Sequence, residues 1–203
     1  MSTIHIITGN NKIGKTANIS LPPIISCEKH PCQKYCYAVK HYKQYPEVRN
    51  AWDSNLKLAQ MDRKAYFTMI RRYLLKMIPQ YFRWHVSGDI LDQKYLDQMK
   101  RIASDFYFVS FLVFTKRYSL DFSDRPDNLT VILSTWPGVE IPNTALPLAF
   151  IETDERAFNS IKCKELCEGC RICWGLKNNN VTLKELKRGK NHAILCTDAS
   201  RDN

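Results

Sequence analysis

The sequence predicts an α/β fold, either an incomplete (β/α) barrel or an open, mostly parallel sheet of about five to six strands, with cysteine-rich metal-binding loops. Three observations point there. Tyr107–Thr115 (YFVSFLVFT), Leu129–Ser134 (LTVILS) and Leu146–Ile151 (LPLAFI) are short, nearly continuous apolar runs, as expected of strands covered on both faces. Segments with helical periodicity separate the strands of the first half. Of the 8 cysteines, all but Cys196 fall in two tight groups, Cys27/Cys32/Cys36 and Cys163/Cys167/Cys170/Cys173.

Taken in order, Ile4–Thr8 reads as a short buried strand running into a Gly/Asn turn. Ala17–Cys27 contains Pro22-Pro23 and is expected to be extended or looped. From Pro46, apolar residues recur at Val48, Trp52 and Leu56, the spacing of an amphipathic helix. A second helix follows Asp62 and carries Tyr66, Met69, Ile70, Tyr73, Leu74 and Met77 until Pro79 stops it. Tyr81–Val86 is a strand ending at Ser87-Gly88-Asp89, and Asp92 caps a helix bearing Leu96, Met99 and Ile102. A short helix is expected around Thr153–Ile161, another over Val181–Arg188, and a last strand at Ala193–Cys196. So few strands leave an eight-stranded barrel incomplete. Ligands of such sheets gather where strands end, here Thr8-Gly9-Asn10, Ser87-Gly88-Asp89, Thr115-Lys116, Ser134-Thr135-Trp136 and Glu152-Thr153.

The length of 203 residues suits a single domain over residues 1–203, with the first cysteine loop at 27–36 and the C-terminal cysteine cluster at 163–175 inside it. At 44% apolar and 25% charged residues the chain has a globular composition. No apolar stretch approaches the roughly 18 residues of a membrane span, and no signal peptide is visible, so a cytoplasmic protein with no membrane partner is expected. Cysteines in a reducing compartment point to metal or redox chemistry rather than structural disulfides. The net charge of +10 favours polyanions such as nucleic acid or phosphorylated substrates, or is a solvated basic surface. Its local concentrations are Lys34–Lys43, Arg63–Lys76 and Lys184–Lys190.

Gly9–Thr16 (GNNKIGKT) fits G-x-x-x-x-G-K-[ST], but a phosphate loop needs a helix directly after it. Pro22-Pro23 leave room for at most one turn, so a Gly/Asn loop at the working edge is expected, with Asn10 and Lys15 as weak substrate or anion contacts. Cys27-x4-Cys32-x3-Cys36 puts three thiolates in a short loop after the first strand. Three thiolates can cap three irons of a [4Fe–4S] cubane and leave the fourth open to a substrate; zinc completed by His30 or a distant residue is the alternative. Cys163-x3-Cys167-x2-Cys170-x2-Cys173 resembles the ferredoxin-type runs that wrap a second cubane, again with zinc as the alternative. Ser87-Gly88-Asp89 offers backbone access beside a carboxylate, suiting ammonium or hydroxyl groups of a ligand, or is a plain strand-to-helix turn. Lys116 and Glu152 are further strand-end candidates, and His85 reads as a packed histidine. Tyr35, Tyr37, Tyr42 and Tyr45, interleaved with Lys34, Lys40 and Lys43, either stack nucleic-acid bases or cover the first cluster from water.

With both cysteine groups in view, the chain resembles a phage family, the gene product 88 domain proteins. The stretches that carry the likeness are GNNKIGK, ISLPP, the Cys27–Ala38 segment ending KYCYA, YPEVRNAWDSNL, FRWHVSGDI, FLVFTKRY, NLTVILSTWPG and CEGCRICWG. This implies a phage-encoded protein working inside the infected host cell. More remotely, the layout is similar to that of radical S-adenosylmethionine (SAM) enzymes. In those a three-Cys loop follows the first strand of a partial barrel, an aromatic precedes the last Cys as Tyr35 does here, and a Gly-Gly-Glu-like stretch ends the second strand where this chain has Ser87-Gly88-Asp89. That family spaces its cysteines C-x3-C-x2-C. The likeness implies an iron–sulfur redox enzyme with two [4Fe–4S] clusters, SAM at the open iron held by Tyr35 and Ser87–Asp89, and an electron donor. Sulfur transfer without SAM is a variant. A metal-stapled basic module binding nucleic acid or a host protein is the contrasting expectation.

Overall fold

Ile6–Asn10 (β1) and Gly14–Ile19 (β2) pair antiparallel, with Ile6 opposite Ile19 and Asn10 opposite Gly14. The structure, a computed structural model, describes residues 3–10 and 13–183, with Asn10 described by its backbone alone. Gly9 (φ +98°) and Gly14 (φ +58°) supply the left-handed backbone that closes the hairpin. The Lys-Thr pair of GNNKIGKT therefore opens a strand. No helix N-terminus follows it to present amides to a phosphate, and the nucleotide-loop pattern is a hairpin.

The sheet continues through Tyr81–Trp84 (β3), Ser110–Thr115 (β4), Leu129–Ser134 (β5), Leu148–Ile151 (β6), Ile161–Lys162 (β7) and Val181–Leu183 (β8). Its order is β1-β2-β3-β4-β5-β6-β8-β7, and every neighbouring pair except β1–β2 is parallel. The result is an open, mostly parallel sheet of eight strands, more than the five or six expected. The surplus is β2, inside a stretch expected to be looped, and the very short β7 and β8. Val181–Leu183 forms a strand where a helix was expected, because β-branched Val181 and Thr182 fit the slot between β6 and β7. The helix expected around Thr153–Ile161 is only a 3-10 turn, Glu155–Ala157. The strand expected at Ala193–Cys196 lies outside the described residues.

The helices are Tyr37–Gln44 (α1), Pro46–Met61 (α2), Arg63–Met77 (α3), Gln93–Asp105 (α4) and the single turn Cys167–Cys170 (α5). Pro46 occupies the first position of α2, where its missing N–H costs nothing. Asp62 caps α3 by accepting from the Ala65 N–H at 2.9 Å, and Asp92 caps α4 from the Tyr95 N–H at 2.8 Å. No described helix is long and apolar enough to cross a membrane.

Alternation along the strands builds two cores. Phe82, Trp84, Phe111, Val113, Leu129, Val131 and Leu133 face α2, α3 and α4 through Leu58, Tyr66, Phe67, Ile70, Tyr95 and Met99. Leu112, Phe114, Ile132 and Ala149 point to the other face, where Trp174 and Leu176 of the C-terminal cysteine segment cover them. Trp174 sits in a 3-10 turn (Ile172–Gly175), meets Tyr81 edge-on with centroids 5.6 Å apart, and accepts from the Thr130 hydroxyl at 2.8 Å through its carbonyl. Trp174→Ala is expected to cost about 3–5 kcal/mol, the range for deleting a large buried aromatic. The fall in urea midpoint measures it; a loss under 1 kcal/mol would mean that this face needs no cover.

Candidate functional site

At the carboxyl edge of the parallel strands, the turns that follow β2, β3, β4 and β5 meet. After β2, the backbone continues alongside β3: the Leu21 N–H donates to Ser87 O and the Ser87 N–H to the Ser20 hydroxyl. Pro22-Pro23 then lead into the first cysteine loop, whose Cys32 is the second residue of a 3-10 turn, Pro31–Tyr35. After β3, His85 takes φ +54° and breaks the strand, so Val86–Asp89 runs under that loop. The Tyr37 hydroxyl ties the two together by donating to Val86 O at 2.5 Å. Gly88 (φ +79°) lies so close beneath the loop that a Cβ there would stand 2.5 Å from Ser26 Oγ and 2.7 Å from Leu21 Cβ. Arg117 pins the loop from the β4 side through Glu28 at 2.8 Å.

These segments enclose a cavity of about 680 Å³, counted to its open mouth. Cys27, Cys32 and Cys36 line it together with Arg83, His85, Ser87, Gly88, Asp89, Lys116 and Ser134. None of the three is in a disulfide among the described residues. Burial pushes the Cys27 thiol up to about 12, with the Asp89 carboxylate adding to the effect. His30 Nδ1 accepts from the Cys32 N–H, and Cys32 packs on Trp136 and Ile151. Asp89 accepts from the Thr115 hydroxyl at 2.6 Å, the Lys116 N–H at 2.9 Å and the Ile90 N–H at 2.7 Å, so its first task is to join the ends of β3 and β4. Burial nonetheless raises its carboxyl above the usual range.

Eleven buried side-chain polar atoms lack a hydrogen-bond partner among the described residues, and six of them belong to residues of this one cavity: His30 Nε2, Arg83 Nε, both ring nitrogens of His85, Ser87 Oγ and Ser134 Oγ. A buried donor or acceptor left unmade costs about 1–3 kcal/mol, so such a concentration is the signature of a binding site. His85 is buried and its imidazolium is disfavoured, first by burial and then by Arg83, which brings it down from 6.5 to about 3. Its folded pKa lies below its unfolded one, so its share of stability is complete above pH 6.5 and is lost as pH falls toward 3. Between pH 7 and 5 the loss is about 2 kcal/mol. The urea midpoint of His85→Gln is expected to lose that part of the pH slope; an unchanged slope would show that His85 titrates normally.

Of the residues singled out in the sequence, the structure brings together Cys27, Cys32, Cys36, Ser87, Gly88, Asp89 and Lys116. Tyr35 stands behind the wall, stacked on Trp136 at 6.2 Å. Glu152 is exposed past β6 and does not line the cavity. Asn10 and Lys15 lie at the opposite end of the sheet, because β1 runs antiparallel and its carboxyl end points to the amino edge of the others. There the Lys15 N–H meets Glu168 of α5. Tyr37 is tied to Val86, and Tyr42 stacks on Trp52 and donates to Asp53, so neither is a free stacking platform. Arg83 belongs to the site and was not singled out in the sequence, while Ser134 was named there only as a strand end.

The second cysteine group lies on the sheet face away from the main helices. Cys163, Cys167, Cys170 and Cys173 all line one smaller cavity of about 360 Å³. Arg171 (φ +54°) reverses the chain between Cys170 and Cys173 and lays its guanidinium 4.4 Å from the Tyr81 ring centre. Burial pushes the Cys173 thiol up to about 12. Among the described residues, no three His, Cys, Asp or Glu side chains form a ready set for a single metal ion. Cys196 lies outside the described residues.

Fold and site thus define an α/β protein with a mostly parallel sheet and a cysteine-walled cavity at the carboxyl edge of its strands. No curated protein sequence and no solved structure matches the chain. The sequence pattern of the family described as Gene product 88 matches residues 5–140, and the chain belongs to that family. The matched span takes in the first cysteine loop, Ser87–Asp89 and Lys116, and it ends before the second cysteine group and its CEGCRICWG stretch.

Proposed function

We propose that the protein is an iron–sulfur redox enzyme of radical-SAM-like type, with an open-site [4Fe–4S] cluster on Cys27, Cys32 and Cys36 and a second cluster on Cys163, Cys167, Cys170 and Cys173. The observation that carries this reading is the shared cavity: three cysteines outside any disulfide, and residues with six buried polar atoms that lack a hydrogen-bond partner among the described residues, line one space at the carboxyl edge of parallel strands. The donor chemistry fits, since soft thiolates select iron–sulfur clusters or zinc. Bound there, a cluster with one iron free of protein ligands would supply one electron to a bound molecule, for which the remote likeness to radical-SAM enzymes suggests SAM.

The chain's own residues have separable tasks. His30 fixes the Cys32 backbone, and Trp136 with Ile151 keeps water from that side of the loop. Ser87, whose hydroxyl has no hydrogen-bond partner among the described residues, would take a polar group of the bound molecule. Asp89 holds the ends of β3 and β4 in register beneath it. The second group, behind Arg83, would relay electrons.

Strictly anaerobic purification followed by assay of iron, acid-labile sulfide and zinc tests the proposal. About eight irons with equal sulfide per chain is the expected result. Addition of SAM is then expected to perturb the electron paramagnetic resonance spectrum of the reduced protein. Stoichiometric zinc without iron would overturn the redox reading, and two clusters indifferent to SAM would overturn the SAM part of it.

A further inference from the structure

The strongest unexplained feature of the molecule is Arg83. It sits in the middle of the sheet on β3, only 8% exposed, with its guanidinium carbon 4.4 Å from the centre of the Phe114 ring. No carboxylate pairs with it among the described residues, and its Nε is buried without a hydrogen-bond partner. The groups that act most on its charge are the Cys167 thiol, the Tyr37 phenol and the thiols of Cys173 and Cys163. A buried cation needs a hydrogen-bonded counter-charge, and both carboxylates in the wall are engaged elsewhere, Asp89 by Thr115, Lys116 and Ile90 and Glu28 by Arg117. Arg83 lines the larger cavity, not the smaller one behind it. So does Ser134, from the end of β5, whose hydroxyl is buried and likewise unpartnered. Arg83, Phe114 and Ser134 share the sheet face turned away from the helices, by the alternation of their strands and the register of β3, β4 and β5.

We infer that Arg83 and Ser134 form an oxyanion-binding subsite, so that the molecule taken up beside the first cysteine loop carries a carboxylate or a phosphate. A guanidinium offers a planar pair of donors that matches either group, and burial beside Phe114 makes the pair selective for a full negative charge over a neutral hydroxyl. This inference rests on the reading of that cavity as the working site, but its test needs no iron.

The test is a thermal-denaturation titration of the metal-free full-length chain with inorganic phosphate and, in a parallel arm, acetate, each at constant ionic strength set with chloride. The wild-type melting temperature is expected to rise with one or both anions, and the stronger arm identifies phosphate or carboxylate as the preferred group. Arg83→Met keeps the length of the side chain and removes the charge. It is expected to melt at the same temperature as the wild type or higher without anion, since an uncompensated buried charge is gone, and to lose the anion-dependent rise. Ser134→Ala is expected to weaken the rise and leave the anion-free melting temperature in place. A wild type that responds to neither anion, an Arg83→Met protein that keeps the response, or one that melts lower without anion would each overturn the subsite. If Arg83 instead served the second cysteine group, Arg83→Met would lose iron bound by Cys163–Cys173 and keep the anion response, an outcome also read as failure. Failure of the iron–sulfur proposal shows in the metal assay and leaves these titrations interpretable.

Discussion

Cys32→Ala is expected to reduce the iron content by half, from about eight to about four per chain, and to abolish any spectral response to SAM. Cys32 is the most buried of the first three cysteines, it is the second residue of the Pro31–Tyr35 turn, and its packing on Trp136 and Ile151 anchors the loop over the cavity. Cys170→Ala is expected to remove the other four irons while the SAM response persists, because Cys170 lines only the second cavity. The pair separates the two sites without assuming which of them works. The fold should survive Cys32→Ala, since the loop is also tied down by Arg117–Glu28 and Tyr37–Val86. A variant that loses all iron, or that unfolds in the metal-free state, would show that the first loop is a structural staple and would remove the argument for an open, reactive iron.

Gly88→Ala is the second large effect. Two separate costs add at this position. A side chain in the left-handed region at φ +79° is strained, and the new Cβ would meet Ser26 Oγ, Leu21 Cβ and the Leu21 carbonyl at 2.5, 2.7 and 2.9 Å. Backbone strain of about 1–2 kcal/mol and overpacking of about 1–3 kcal/mol give a loss of roughly 2–5 kcal/mol. Gly138 isolates the first cost, since it has φ +73° and nothing within 4 Å of its built Cβ. Gly138→Ala should therefore lose only about 1–2 kcal/mol. The obstructing atoms at Gly88 belong to the segment that leads into the cysteine loop, so Gly88→Ala should also lower iron loading at the first site. Equal losses of stability for the two variants would refute the close approach of loop and strand.

Much of this architecture was legible in the sequence where local chemistry and tertiary packing agree. Pro46, Asp62 and Asp92 each mark a helix start, and β4 and β5 announce themselves as apolar runs because both of their faces are covered. β2 was hidden, since GKTANI has no apolar run and gains its pairing from β3, far along the chain. β7 and β8 are too short to show any period, so only their neighbours make them strands. Among site residues, the cysteines and the Ser87-Gly88-Asp89 turn carry their own chemical signal. Arg83 carries none: an arginine in YFRW reads as the solvent side of an alternating strand, and only the sheet buried on both faces turns it inward. Asn10 and Lys15 misled for a related reason, as the end of a strand says nothing of its direction relative to the rest.

The face that Trp174 and Leu176 cover has a bearing on how the chain reaches its fold. During synthesis β2 through β6 leave the ribosome before residues 163–176, so Leu112, Phe114 and Ile132 stand uncovered until that segment arrives. The hairpin tip waits as well, since the Lys15–Glu168 contact joins residues 153 positions apart. Closing so long a separation comes late and slowly. The nascent protein thus passes through a half-built stage with a greasy groove open on one side, and the C-terminal cysteine segment is the latch that ends it. A chain released early would be sticky, and the cell's chaperones would see that face first.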